Sequence, residues 1–115
     1  MRQKIITVPK DKKAEAALDY DEATKDELIE LVLNVEEFKI LSESGIFDLI
    51  NDAGFSNIDD YESDQVRGKE SITKVIKKLN SNKSSFEKEL LKKVEEIINL
   101  FEEALIRETG VYFYF

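Results

Sequence analysis

Thr24-Lys25-Asp26-Glu27-Leu28-Ile29-Glu30-Leu31-Val32-Leu33-Asn34-Val35-Glu36-Glu37-Phe38-Lys39-Ile40-Leu41 is the stretch on which the fold class turns. Thr24 and Glu27 have the spacing of a capping box, in which each residue satisfies a backbone donor of the other at a helix start. Leu28, Leu31, Val32, Val35 and Phe38 then recur every three or four residues, which lines them up on one side of a helix. Ile29, Leu33, Ile40 and Leu41 widen that stripe. The spacing therefore predicts one long, substantially buried helix, ended by Ser42 to Gly45.

Working outward, Ile46, Phe47, Leu49, Ile50 and Ala53 predict a short helix stopped by Gly54. The segment from Phe55 to Asp64 reads as either a short helix or an ordered loop. After Gly68, the residues Ile72, Val75, Ile76 and Leu79 predict a helix from Lys69 to Leu79, and Asn80 to Lys83 read as a loop. Ser84 and Glu87 offer a second capping box. Phe86, Leu90, Val94, Ile97, Ile98, Phe101 and Leu105 then follow one helical face, with Gly110 expected as the left-handed cap.

The two ends read differently. Lys4-Ile5-Ile6-Thr7-Val8 is β-branched and stops at Pro9, and Val111-Tyr112-Phe113-Tyr114-Phe115 has high strand propensity and no charged side chain. An uncovered strand of that kind promotes aggregation, so it needs a partner strand. Lys10 to Asp21 can form a helical turn at most. The expected fold is mainly α: one domain over residues 1–115, a compact bundle of about four helices with a small two-stranded ribbon from the N- and C-terminal strands. Pairing with a strand from a second copy or a ligand is the alternative.

Composition narrows function. The 115 residues include no cysteine and no histidine. The thiolate nucleophile, the commonest general base and the commonest transition-metal ligands are thus missing. No catalytic residue, metal or cofactor is expected, and the chain reads as a binding protein. The four glycines, 45, 54, 68 and 110, are isolated and spell no phosphate loop. Asp59, Asp60, Glu62 and Asp64 lack the spacing of a calcium loop. The lysines at 74, 77, 78 and 83 read as a solvated helix face, not a nucleic-acid surface. With no membrane span and no secretory leader in the sequence, a cytoplasmic protein, monomer or weak homodimer, is expected.

The net charge of −8 is unevenly spread. Residues 1–14 carry +4, residues 65–115 carry +2, and residues 15–64 hold sixteen carboxylates against Lys25 and Lys39, a net −14. Such a block repels itself, and it is suited to steering a basic partner into contact. The surface expected to do this comprises Glu36, Glu37, Glu43, Asp48, Asp52, Asp59, Asp60, Glu62 and Asp64, with Phe55 and Tyr61 as aromatic anchors.

Asp19-Tyr20-Asp21-Glu22-Ala23 running into Glu27-Leu28-Ile29-Glu30-Leu31-Val32 resembles the first helix of the colicin nuclease immunity proteins. Ser44-Gly45 and Asp48-Leu49-Ile50 are similar to the turn and recognition helix of that family. The family's Tyr-Tyr-Pro anchor is replaced here by Asn51-Asp52-Ala53. The resemblance implies an acidic helical protein that neutralises a basic, nuclease-like bacterial toxin. Immunity to contact-dependent growth-inhibition toxins is an equivalent role. The alternatives are a nucleic-acid mimic that inhibits a DNA- or RNA-binding protein, and a structural or oligomeric adaptor pairing through its C-terminal strand.

Overall fold

The computed structural model describes residues 4–54, 56 and 64–115. In chain order these form β1 (Lys4–Pro9), α1 (Lys12–Asp19), β2 (Leu28–Leu33), α2 (Val35–Ser44), α3 (Ile46–Gly54), β3 (Asp64–Val66), α4 (Lys69–Ser81), α5 (Leu91–Arg107) and β4 (Val111–Tyr114). Short 3-10 turns at Lys25–Glu27 and Lys83–Ser85 link neighbouring elements.

The ribbon of the two ends exists, but it is the middle of a larger sheet. β1 and β4 pair antiparallel, with Ile5 opposite Tyr114 and Thr7 opposite Tyr112. β2 adds to β1, and β3 adds to β4, giving the order β2-β1-β4-β3. The expectation of about four helices and two strands is therefore corrected to five helices and a four-stranded antiparallel sheet. β4 is paired on both sides, so it has no free edge for a partner.

The main correction falls on residues 24–41. Leu28 to Leu33 is strand, with Lys4 opposite Leu33 and Pro9 opposite Leu28. The Thr24–Glu27 contact forms, the Glu27 carboxylate accepting from the Thr24 backbone N–H (3.3 Å) and hydroxyl (3.2 Å), but it closes only a 3-10 turn. The box that starts a helix lies at Asn34. Its Oδ1 accepts from the Glu37 N–H (2.8 Å), while Glu37 Oε1 accepts from the Asn34 N–H (3.0 Å). Leu-Ile-Glu-Leu-Val-Leu satisfies a period of two as well as one of 3.6. In the strand, Ile29, Leu31 and Leu33 face the core while Leu28, Glu30 and Val32 face outward. Of the five-residue helical stripe read from the sequence, only Phe38 is buried, and Val32 and Val35 stay 47% and 59% exposed. Replacing Asn34 with Ala is expected to cost about 1 kcal/mol, the usual price of a lost N-cap, read as a lower urea midpoint with an unchanged slope.

Other boundaries shift by less. α1 has two turns because Asp11 caps it, Oδ1 accepting from the Ala14 N–H at 2.7 Å. α2 does end at Gly45, whose φ of +85° suits glycine. α4 continues to Ser81. α5 starts at Leu91, not Ser84, and its left-handed cap is Glu108 (φ +58°), not Gly110. Gly110 serves packing instead. A Cβ there would lie 2.9 Å from Arg67 Cγ and 3.0 Å from the Val66 carbonyl oxygen.

One core fills the space between the sheet and helices α2 to α5. Ile6, Val8, Val111 and Phe113 meet Val94, Ile97, Phe101 and Ala104 of α5 and Ile72, Val75 and Leu79 of α4. Phe115 sits edge-on to Phe38 (4.8 Å), Phe47 (5.2 Å) and Phe113 (5.7 Å), which ties β4 to α2 and α3. α1 lies on the opposite face of the sheet, where the Glu15 carboxylate accepts from the Tyr112 hydroxyl (2.9 Å). Among the described residues, no helix is long and apolar enough to cross a membrane.

Candidate interaction surface

The described acids among those expected to form the binding surface are spread over three elements. Glu36, Glu37 and Glu43 are on α2, Asp48 and Asp52 on α3, and Asp64 opens β3. Phe55, Asp59, Asp60, Tyr61 and Glu62 lie outside the described residues. Glu37 is committed to the fold: besides capping α2, its Oε2 is 3.0 Å from Lys93 Nζ on α5. The backbone hydrogen bond at Asn34, then Lys93, holds its carboxyl below the usual carboxylate range. Asp52 Oδ2 is 3.4 Å from Lys78 Nζ on α4. Glu36, Glu43 and Asp48 remain exposed. Glu36 and Glu43 are two turns apart on one side of α2, with Ile40, 41% exposed, between them.

A denser anionic group forms where α1 ends and β2 begins. Residues 19–30 carry Asp19, Asp21, Glu22, Asp26, Glu27 and Glu30 against Lys25, a net −5. All but Glu27 are exposed, and among the described residues none of the exposed five is in an ion pair. Apolar and aromatic groups stand with them. Tyr20 is 77% exposed at the end of α1, and Val32 is open on the outer sheet face. Tyr114, half-buried on the same face, has its hydroxyl pKa pushed up by burial, then by the charges of Asp19 and Asp21. Tyrosine is among the side chains favoured at the centre of protein-binding patches, and polar groups are favoured at their rims.

Asp19, Tyr20, Asp21, Glu22, Glu30, Val32 and Tyr114 of this candidate patch were not among the residues expected from the sequence. The net −14 of residues 15–64 was the available signal. It could not be resolved further while Leu28–Leu33 read as helix, because that reading sends Val32 inward and gives Tyr114 no neighbours from β2.

A cleft of about 660 Å³ lies elsewhere, lined by Lys12, Glu15, Arg67, Lys69, Ile72 and Glu108 among others. Its charges oppose one another. The N-terminus of α4 and the C-terminus of α5 both end there, so their dipoles oppose too. Glu15 is 7% exposed and already bound to Tyr112, with Arg67 Nε 4.0 Å away. These contacts hold α1 to the sheet. No group of three or more metal-ligating side chains occurs among the described residues.

Comparison with family models, curated proteins and solved structures finds no match to this chain.

Proposed function

We propose that this chain is an immunity-type binding protein that captures and neutralises a basic, nuclease-like bacterial toxin in the cytoplasm, using the acidic surface of residues 19–30. The observation that carries the reading is the set of five carboxylates between Asp19 and Glu30, all exposed and, among the described residues, in no ion pair, in a stretch that also exposes Tyr20. Capture of this kind needs affinity and speed, and long-range attraction raises association rates by roughly 10- to 1,000-fold. It needs no reactive side chain. A sequence without histidine or cysteine is suited to that task.

Leu28–Val32, part of the stretch that resembles an immunity-protein helix, forms strand here. The reading therefore leans on the charged surface and not on a shared helix. The exposed acids of α2 and α3 extend the anionic surface in sequence, but two of the residues first expected there are neutralised by lysines of α4 and α5.

The test is protection and kinetics with a basic, nuclease-type toxin domain, sought among the genes beside the one that encodes this chain. The chain is expected to restore growth when co-expressed with that domain. A variant carrying Asp19→Asn, Asp21→Asn, Glu22→Gln and Asp26→Asn is expected to associate about tenfold or more slowly at low salt and to lose most of the salt dependence. Failure to protect, or an association rate unchanged by the four substitutions, overturns the proposal. Displacement by unrelated DNA-binding proteins would assign the surface to nucleic-acid mimicry instead.

A further inference from the structure

β2 leaves half of its backbone groups pointing away from the sheet. The Lys10 N–H donates to the Glu27 carbonyl at 2.9 Å, which fixes the parity of the β1–β2 ladder. With Pro9 opposite Leu28 and Lys4 opposite Leu33, the residues of β2 that exchange hydrogen bonds with β1 are Ile29, Leu31 and Leu33. The C=O groups of Leu28, Glu30 and Val32 and the N–H groups of Glu30 and Val32 face the other way, while the Leu28 N–H donates to the Lys25 carbonyl of the preceding turn. No strand lies beyond β2 among the described residues.

Sheet edges are commonly protected by lysine, proline, a bulge or a very short strand. β2 has none of these: it spans six residues, pairs with β1 in continuous register, and contains no Lys, Pro or Gly. Its one charge is Glu30, which stands exposed on the outer face between half-buried Leu28 and open Val32. By contrast β3, at the other edge, spans Asp64–Val66 among the described residues.

We propose that β2 is a docking edge for an extended segment of a basic protein partner. The segment adds to the sheet as a fifth strand, sets a Lys or Arg side chain against Glu30, and lays apolar side chains beside Leu28 and Val32. This rests on the acidic-surface reading and names the way that surface grips its partner. Backbone pairing supplies the contact, and alternate side chains supply the choice. Charge selects the occupant. Pairing two copies of β2 about Glu30 would bring two carboxylates face to face and two net −5 stretches together, both unfavourable. A basic strand makes both terms attractive.

The experiment is site-resolved amide exchange on the full chain, with and without a capped synthetic peptide, Thr-Val-Thr-Lys-Thr-Val-Thr, at millimolar concentration. A second peptide with Glu in place of Lys is the control. The Lys peptide is expected to slow exchange at Glu30 and Val32 by about tenfold or more, with little change at the already bonded Leu28, Ile29, Leu31 and Leu33. Val32→Pro removes one outward N–H without touching the ladder to β1 and should abolish that protection. Glu30→Lys, which needs no backbone change, should transfer binding to the Glu peptide. Peptide binding that perturbs Asp19 to Asp26 but protects neither the Glu30 nor the Val32 amide overturns the docking edge while leaving the acidic surface in place. Absence of binding by either peptide also overturns it. Protection that appears without peptide and grows with protein concentration names a second copy as the occupant and overturns it too. Protection that survives neutralising Asp19, Asp21, Glu22 and Asp26 keeps the edge and counts against the acidic surface as the means of capture.

Discussion

Removal of Val111–Phe115 is expected to unfold the chain, with loss of any cooperative transition in urea and of the far-ultraviolet signature of the native state. β4 hydrogen-bonds to β1 on one side and β3 on the other, so its loss divides the sheet. Val111, Phe113 and Phe115 are each at most 1% exposed. Burying such a side chain contributes about 1.5–3 kcal/mol, so three of them supply an amount comparable with the 5–15 kcal/mol that holds a typical domain together. A milder probe of the same claim is Phe115→Ala. It removes the ring that bridges Phe38, Phe47 and Phe113 and is expected to cost about 3–5 kcal/mol. A truncated chain that kept a cooperative transition near the original midpoint would show that β4 is peripheral, contrary to the sheet order.

Tyr112→Phe should lower stability at neutral pH by about 1–3 kcal/mol and flatten its decline in alkali. The hydroxyl is the close donor to the buried Glu15 carboxylate, with Arg67 more distant and half exposed. Removing it leaves a buried charge short of a hydrogen bond, which costs more than the bond itself contributes. In the folded chain the Tyr112 hydroxyl is held well above its ordinary pKa, chiefly by burial, then by the bond to Glu15 and that residue's charge, with Arg67 opposing. Tyr114 is shifted the same way by burial, Asp19 and Asp21.

Below the unfolded tyrosine pKa of about 10, both hydroxyls are protonated in either state and their stabilising contribution is complete. Above it the unfolded chain releases protons that the folded chain retains. Stability therefore falls as pH rises past that point and goes on falling toward the raised folded values. Urea midpoints from neutral pH to about pH 11, spanning the unfolded tyrosine pKa, measure this. A Tyr112→Phe variant with the original midpoint at neutral pH and the original alkaline slope would remove Glu15–Tyr112 from the list of contacts that fasten α1.

The same contact bears on the interaction surface. α1 ends in Asp19 and Tyr20, and its packing on the sheet through Glu15 sets where those groups stand relative to Tyr114 and β2. Loosening it should disturb the acidic patch without changing a single residue of it.

Elements with one unambiguous period were legible in the sequence. Ile72, Val75, Ile76 and Leu79 fit a helix and no strand. Lys4 to Val8 and Val111 to Phe115, β-branched or aromatic, could be placed as strands and even paired with each other, because each lacked any other means of covering its backbone. The lack of reactive side chains and the crowding of carboxylates between Glu15 and Asp64 were equally open to inspection. These features depend on residue type and near-neighbour spacing, which the order of residues states directly.

Tertiary structure alone decided the rest. Leu28–Leu33 fits both periods, and its state is settled by the backbone donors and acceptors of β1, some twenty-four residues earlier, which a strand can satisfy and a helix cannot. That pairing turned Glu30 and Val32 outward and left β2 at an edge of the sheet among the described residues. Glu37 and Asp52 looked like solvent-facing acids until folding brought Lys93 and Lys78 to them. Hydrogen-bond partners and countercharges that are distant in sequence exert their effect only once the chain has brought them within a few ångströms, so no local pattern can announce them.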